Sequence, residues 1–226
     1  MAVKYLSFNK ELHDAVDLKQ WLKEEPTSDQ PLPLRYVWHI WEQVQQDERS
    51  RESYSENTAD LASFDTVQKF WKLWSCIPQP SELVNHKRMV RQEKNGRNHV
   101  VDALMIFRDG VKPMWEDPRN ATGGHLEFRL MHSSTKAAQM DEYWNNLVLG
   151  LVGSTLETSE YITGIRLVDK LSQGRSPCIR IEVWFSRLPN QETQDSLMRE
   201  VGRCMASKID GSIGHAPRCD IRFHSK

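Results

Sequence analysis

The sequence predicts an α+β domain, with helices on one face of an antiparallel sheet. Three observations predict it. Apolar residues recur at helical spacing in three segments, after Thr66, over Thr135–Val152 and after Asn190. Between them lie short runs rich in β-branched and aromatic residues, such as Arg35–Trp41 and Cys178–Phe185, of strand length. Strong turn signals, Asp109-Gly110 above all, bound these runs.

The 226 residues suit one domain, or one domain plus tails. Apolar content of 38% allows a core, and a net charge of −1 argues against a generally basic nucleic-acid coat, so any such contact must be local. No run is long enough to span a membrane, and the N-terminus lacks the apolar core of a signal peptide, so no membrane partner is expected. Cys76, Cys178, Cys204 and Cys219 are scattered, without a C-x-x-C, and read as reduced thiols of an intracellular protein. His215, Cys219 and His224 lack a fourth ligand and finger spacing, so neither a metal nor another cofactor is expected.

Residues 1–30 read as an N-terminal arm, partly helical through Leu12, Ala15, Val16 and Leu22, or disordered. Pro31-Leu32-Pro33 opens the domain proper, 31–226. Arg35–Trp41 is a strand with bulky residues on both faces, hence central. Residues 42–60 are polar and read as a long exposed loop. A helix starts with Asp65 or Thr66 as N-cap and buries Phe70, Leu73, Trp74 and Ile77, leaving Val67 and Trp71 on a flank. A basic segment at about 80–99, carrying Lys87, Arg88 and Arg91, reads as a solvated loop. His125–Met131 is a strand, and the second helix buries Met140, Trp144, Leu147, Val148 and Leu151. Strands at Ile162–Lys170 and Cys178–Phe185 follow. Asn190 caps a third helix with Leu197, Val201, Cys204 and Met205 inward, and a short strand at about Arg218–His224 ends the chain.

The stretch Phe107–Gly124, FRDGVKPMWEDPRNATGG, is the chain's centre of interest. Pro113 and Pro118 stiffen the backbone around Met114-Trp115-Glu116-Asp117, so that an indole and a carboxylate can meet on one rigid loop. An indole offers a flat face to an electron-poor ring, and a carboxylate offers two acceptors to a pair of N–H donors. Taken alone, these residues fit a buried tryptophan beside two solvated acids on a tight loop better than a binding site.

This stretch resembles the signature loop of the eukaryotic translation initiation factor 4E family, the messenger RNA cap-binding proteins. Asp109, Gly110, Pro113, Met114, Trp115, Glu116, Asp117, Gly123 and Gly124 carry the match, which extends more weakly over 31–224. The resemblance implies a curved eight-stranded antiparallel sheet with three helices on its convex face and the ligand slot on its concave face. It implies that Tyr54 and Trp115 sandwich 7-methylguanine and that Glu116 binds the guanine edge. It also places Trp184 at the N7 methyl, with His125, Lys170, Arg180 and Arg175 at the phosphates. On the convex face it implies a surface of Val67, Trp71, Asn145, Leu149 and Gly153 for a scaffold initiation factor 4G-like protein or a 4E-binding protein. A monomeric, non-enzymatic, cytoplasmic protein is implied, with a nuclear pool allowed.

Departures from the family pattern leave alternatives open. Tyr54 stands where a tryptophan is usual, as in repressor-type homologues, and His125 stands where arginine is usual. Asn145-Asn146 replaces the usual Leu-Glu, and 80–99 is an insertion. A cap-binding translational repressor and an interaction module with a decayed pocket are the rival readings.

Overall fold

A computed structural model of the chain describes residues 30–45, 57–84, 87–92, 98–172, 176–208 and 210–224. The strands are β1 (Pro33–Val44), β2 (Thr58–Thr66), β3 (Val90–Gln92), β4 (Asn98–Arg108), β5 (Gly124–Met131), β6 (Ile162–Lys170), β7 (Cys178–Phe185) and β8 (Cys219–Phe223). The α-helices are α1 (Val67–Trp74), α2 (Pro80–Val84), α3 (Ala137–Val152) and α4 (Gln191–Met205), with a 3₁₀ turn at Glu157–Tyr161. One curved sheet runs β2-β1-β4-β6-β7-β5-β8, with β3 added beside β4, and every pairing is antiparallel.

Side chains alternate across this sheet with the strand period of two. Trp38 and Ile40, Leu104 and Ile106, Ile165 and Leu167, Ile181 and Val183, and Leu126 and Phe128 point to the convex face. There they meet Phe70, Leu73 and Trp74 of α1, Met140, Trp144 and Leu147 of α3, and Leu197, Val201 and Met205 of α4. Each helix buries the stripe its period sets out. Thr66 caps α1 by accepting from Lys69 N at 3.3 Å, and Asn190 caps α4 by accepting from Thr193 N at 2.8 Å. The three expected helices are present, and α2 is a fourth, of five residues.

Two regions read from composition as loops are built differently. β1 runs on to Val44, and Thr58–Thr66 forms the edge strand β2 against it, so both described ends of 42–60 are strand rather than loop. The basic segment holds α2 and β3, and its Arg88 and Arg91 reach buried carboxylates. Arg91 pairs with Glu42, which is fully buried, at 2.7 Å, and Arg88 pairs with the equally buried Asp169 at 3.1 Å. A buried carboxylate needs such a partner, because desolvating a lone charge costs several kcal/mol.

Candidate functional site

The loop between β4 and β5 is shaped by its polar side chains. Asp109 N donates to Val37 O at 2.9 Å, and Gly110 takes φ +74°, a conformation glycine adopts without strain. Asp117 is buried and its carboxylate accepts from Lys112 N at 2.9 Å and Arg119 N at 3.0 Å. Asn120 is fully buried. It donates to Lys112 O at 2.9 Å and Met114 O at 3.0 Å, and accepts from Thr163 Oγ1 of β6 at 2.8 Å. These bonds close the loop on itself and fasten it to the sheet. Trp115, at the crest, is left 58% exposed, with Glu116 exposed beside it. Of the two acids beside the indole, one therefore builds the loop and the other is free to face a ligand.

The glycine pair after the loop is required by close approach. A Cβ on Gly123 would lie 1.9 Å from Phe185 O, and one on Gly124 would lie 2.3 Å from Arg222 O. β5 can thus be gripped between β7 and β8, which brings the concave-face residues of all three strands together. His125 stands opposite Trp184 on β7 and Arg222 on β8, Glu127 opposite Glu182, and Arg129 opposite Arg180. On the next strand Arg166 stands opposite Glu182.

The result is a ladder of alternating charge. Arg129 contacts Glu127 at 2.7 Å, Arg180 contacts Glu182 at 2.8 Å and Glu127 at 3.4 Å, and Arg166 contacts Glu182 at 3.3 Å. Trp184 Nε1 donates to Glu182 at 2.9 Å. Burial alone would raise the Glu182 pKa, yet Arg166 and Arg180 hold it below the usual carboxylate value. A cavity of about 490 Å³ opens over the ladder, lined by Trp115, His125, His224 and Phe223, with Arg129, Arg166, Arg180 and Arg222 set against only two carboxylates, Glu127 and Glu182. Its surplus of guanidinium charge suits an anionic ligand.

Four rings close one end of the cavity. His125 stacks on Trp184 at 5.7 Å between centroids, His224 packs on Trp184 at 4.5 Å, and Trp115 stacks on His224 at 5.9 Å. The hydrogen-bond partners assign the tautomers. A carbonyl only accepts, so His224 Nδ1–H donates to Asn120 O at 2.9 Å. His224 Nε2 is then bare and accepts from His125 Nδ1–H at 2.9 Å. Burial lowers the His125 pKa from its ordinary 6.5 to about 4, and burial lowers that of His224 as well.

The sequence-predicted residues therefore fall into groups. Trp115, His125 and Arg180 come together at the cavity, and Glu116 is exposed beside Trp115 on the loop. Trp184 lies under it, only 1% exposed, covered by His125 and His224. Lys170 ends β6 on the same face as Arg166, away from the cavity lining. Tyr54 and Arg175 lie outside the described residues, as does the N-terminal arm. His125 lines the cavity at the position the resemblance assigns to a phosphate, and burial there disfavours its charged form. Sequence reasoning missed His224, Glu127, Glu182, Arg166 and Arg222. The signal was present as charges at every second position within otherwise apolar strands.

His215, Cys219 and His224 do not converge. The only group with metal-ligand spacing among the described residues is His125, Glu127 and Glu182, whose ligand atoms lie within 4.8 Å of one another. Three arginines already neutralise those carboxylates, and we assign no ion there.

The titration of His125 has a consequence for stability. Between pH 6.5 and 4 the unfolded chain binds a proton that the folded chain refuses. The stabilising contribution is whole above pH 6.5 and is lost as pH falls toward 4. Urea unfolding of the wild type and of His125→Gln at pH 7 and pH 4.5 checks this. The wild type is expected to lose more stability on acidification than the variant, and parallel losses would show that the ring is not held neutral.

On the convex side α1 and α3 enclose a groove of about 320 Å³ lined by Trp71, Trp74, Ser75, Asn145 and Leu149. Trp71 is 50% exposed and Leu149 38%. Val67 starts α1, and Gly153 follows α3 with its N–H on Leu149 O at 2.9 Å. Asn145 faces inward, accepting from Trp74 Nε1 at 3.2 Å and donating to Gln79 Oε1 at 3.0 Å. Asn146 donates to the carbonyls of Met205 and Ser207 at the end of α4.

Fold and site together define a ligand-binding domain with an aromatic lip over an arginine-rich floor on one face and an aromatic groove on the other. The family model described as Eukaryotic initiation factor 4E matches residues 33–222, and the chain belongs to that family. Fruit fly eukaryotic translation initiation factor 4E1 is 29% identical over 160 residues, 71% of this chain and 52% of the fly protein, so the match spans about half of that relative. The Dictyostelium discoideum factor 4E is 26% identical over 196 residues, 86% of this chain and 67% of its own length. Among solved structures, Ascaris suum eIF4E-3 with m2,2,7G cap aligns with a TM-score of 0.60 at 21% identity, covering 87% of this chain and 93% of that one. Schistosome eIF4E complexed with m7GpppA and 4E-BP aligns at 0.59 with 22% identity, covering 79% and 84%.

Proposed function

We propose that this protein binds the 7-methylguanosine cap at the 5′ end of messenger RNA and docks a scaffold initiation factor 4G-like protein or a 4E-binding protein to start translation. The observation that carries the reading is Trp115, exposed beside Glu116 on a rigid loop above an arginine-lined cavity. N7 methylation makes guanine a cation, which an indole face attracts. Glu116 accepts from the two N–H groups of the guanine edge, and Tyr54 is the second ring. The phosphates fall to Arg180, Arg222 and Arg129, with Lys170 and Arg175 further along. His125 serves as a neutral floor. The protein acts as a cytoplasmic, monomeric binding factor without catalysis, so cap dinucleotide should be recovered intact after incubation. Capture of a capped RNA oligonucleotide, with the uncapped oligonucleotide left in solution, tests the reading.

The inward turn of Asn145 and Asn146 favours a second reading, a cap-binding repressor whose groove takes a different partner. Either way, Trp71→Ala should weaken the partner by about 2 kcal/mol, the scale of an exposed aromatic anchor. Pull-down of partners with the wild type and the variant checks this and identifies which partner binds. Cap binding and unfolding midpoint should stay unchanged, and loss of folding would make Trp71 a core residue.

A further inference from the structure

We propose that the ring of His224 is an internal occupant of the ligand slot, which the cap base must displace in order to lie against Trp115 and Trp184. The inference rests on the cap-binding reading above. His224 follows β8, the edge strand, which among the described residues pairs only with β5. Its imidazole sits between the two indoles, 5.9 Å from Trp115 at an interplanar angle of 25° and 4.5 Å from Trp184. With His125 stacked on it as well, Trp184 is 1% exposed, too covered to touch a ligand methyl group while His224 is in place. The rest of the cavity stands open, so the covering is local to this one end.

The ring is held by bonds that can be exchanged. Nδ1–H donates to Asn120 O and Nε2 accepts from His125, both at 2.9 Å, while the backbone N–H donates to Gly123 O at 3.0 Å. Rotating the side chain out breaks the first two and leaves the third, so the strand end need not unzip. The departing ring returns both nitrogens to water. The entering purine brings its own ring to the vacated indole face. The ring is also neutral, since burial lowers its pKa, and so lacks the cation's attraction to the indole that a 7-methylated purine has.

An occupant that every ligand must displace lowers every apparent affinity by the same factor. His224→Ala should therefore bind 7-methylguanosine diphosphate and guanosine diphosphate more tightly, each by about three- to tenfold, the scale of one aromatic contact. The ratio between the two ligands should not change. Equal or weaker binding by a folded His224→Ala variant, verified by circular dichroism, would overturn the proposal and make His224 a support for Trp115. A change in the ratio would also overturn it, because His224 would then be selecting between ligands. Wild type that discriminates the two nucleotides, without a gain in the variant, sinks this inference alone. Absence of binding in both proteins sinks the cap-binding reading with it. Should the variant fail to fold, NMR of the wild-type His224 ring decides. Its ring protons, shifted by two indoles, should move toward the solvent-exposed position on saturation with 7-methylguanosine diphosphate, and an unmoved signal overturns the proposal.

Discussion

Alanine at Gly123 is expected to destabilise the domain by about 3 kcal/mol or more, near the upper end of overpacking effects. The added Cβ would meet Phe185 O at 1.9 Å and the carbonyl carbons of Phe185 and Ser186 at 2.8 Å. All three are backbone atoms, so no side chain can rotate away. Either β5 leaves β7, or the signature loop leaves the sheet, and both outcomes scatter the residues around the cavity. Gly110→Ala is the control. Its Cβ would meet nothing within 4 Å, and only the φ of +74° opposes it, at a cost of about 1 kcal/mol. Urea unfolding of the two variants separates steric from conformational need for glycine. Equal losses would contradict the account of how the pair Gly123-Gly124 grips β5.

Trp115→Ala carries the largest expected effect on binding without an effect on folding. Stacking of one base on one aromatic ring is worth about 1–3 kcal/mol by alanine substitution, and the charge on the methylated base places the loss toward the upper end. The indole is 58% exposed and, among the described residues, stacks only on His224, so the unfolding midpoint should stay within error of the wild type. Calorimetric titration with 7-methylguanosine diphosphate, beside a urea melt, measures both. A comparable loss at Glu116→Ala, about 1.5–3 kcal/mol for a charged hydrogen-bond acceptor, is expected to come with weaker discrimination between bases. If Trp115→Ala binds as the wild type does, the ligand is not on this loop.

The helices were legible from sequence because their apolar stripes are long enough to repeat. Phe70, Leu73 and Trp74, or Met140, Trp144, Leu147 and Leu151, show the period within a single segment, and all are buried. Strands β6 and β7 were legible to the residue because turn signals and apolar runs coincide at their ends. β2 was not. Its residues TADLASFDT alternate small and polar groups, as a half-exposed edge strand does, and composition reads them as loop. The insertion was misread for a related reason. Arg88 and Arg91 look solvated until the fold brings Asp169 and Glu42 to them, and pairing across such separations leaves no local trace. At the site, the loop was legible from its prolines, glycines and Trp115-Glu116. The floor was legible only at His125 and Arg180, because Glu127, Glu182, Arg166, Arg222 and His224 meet only through the register of four strands and the residue that follows β8.

On the proposed function, the concave face selects a methylated, positively charged guanine. Titration of the wild-type protein with 7-methylguanosine diphosphate and with guanosine diphosphate, followed by tryptophan fluorescence, tests it most directly. Saturable quenching by the methylated nucleotide is expected, with at least about tenfold weaker binding of the unmethylated one, the scale of a desolvated cation–π contact. Equal affinity for the two, or binding that leaves the fluorescence unchanged, would contradict it.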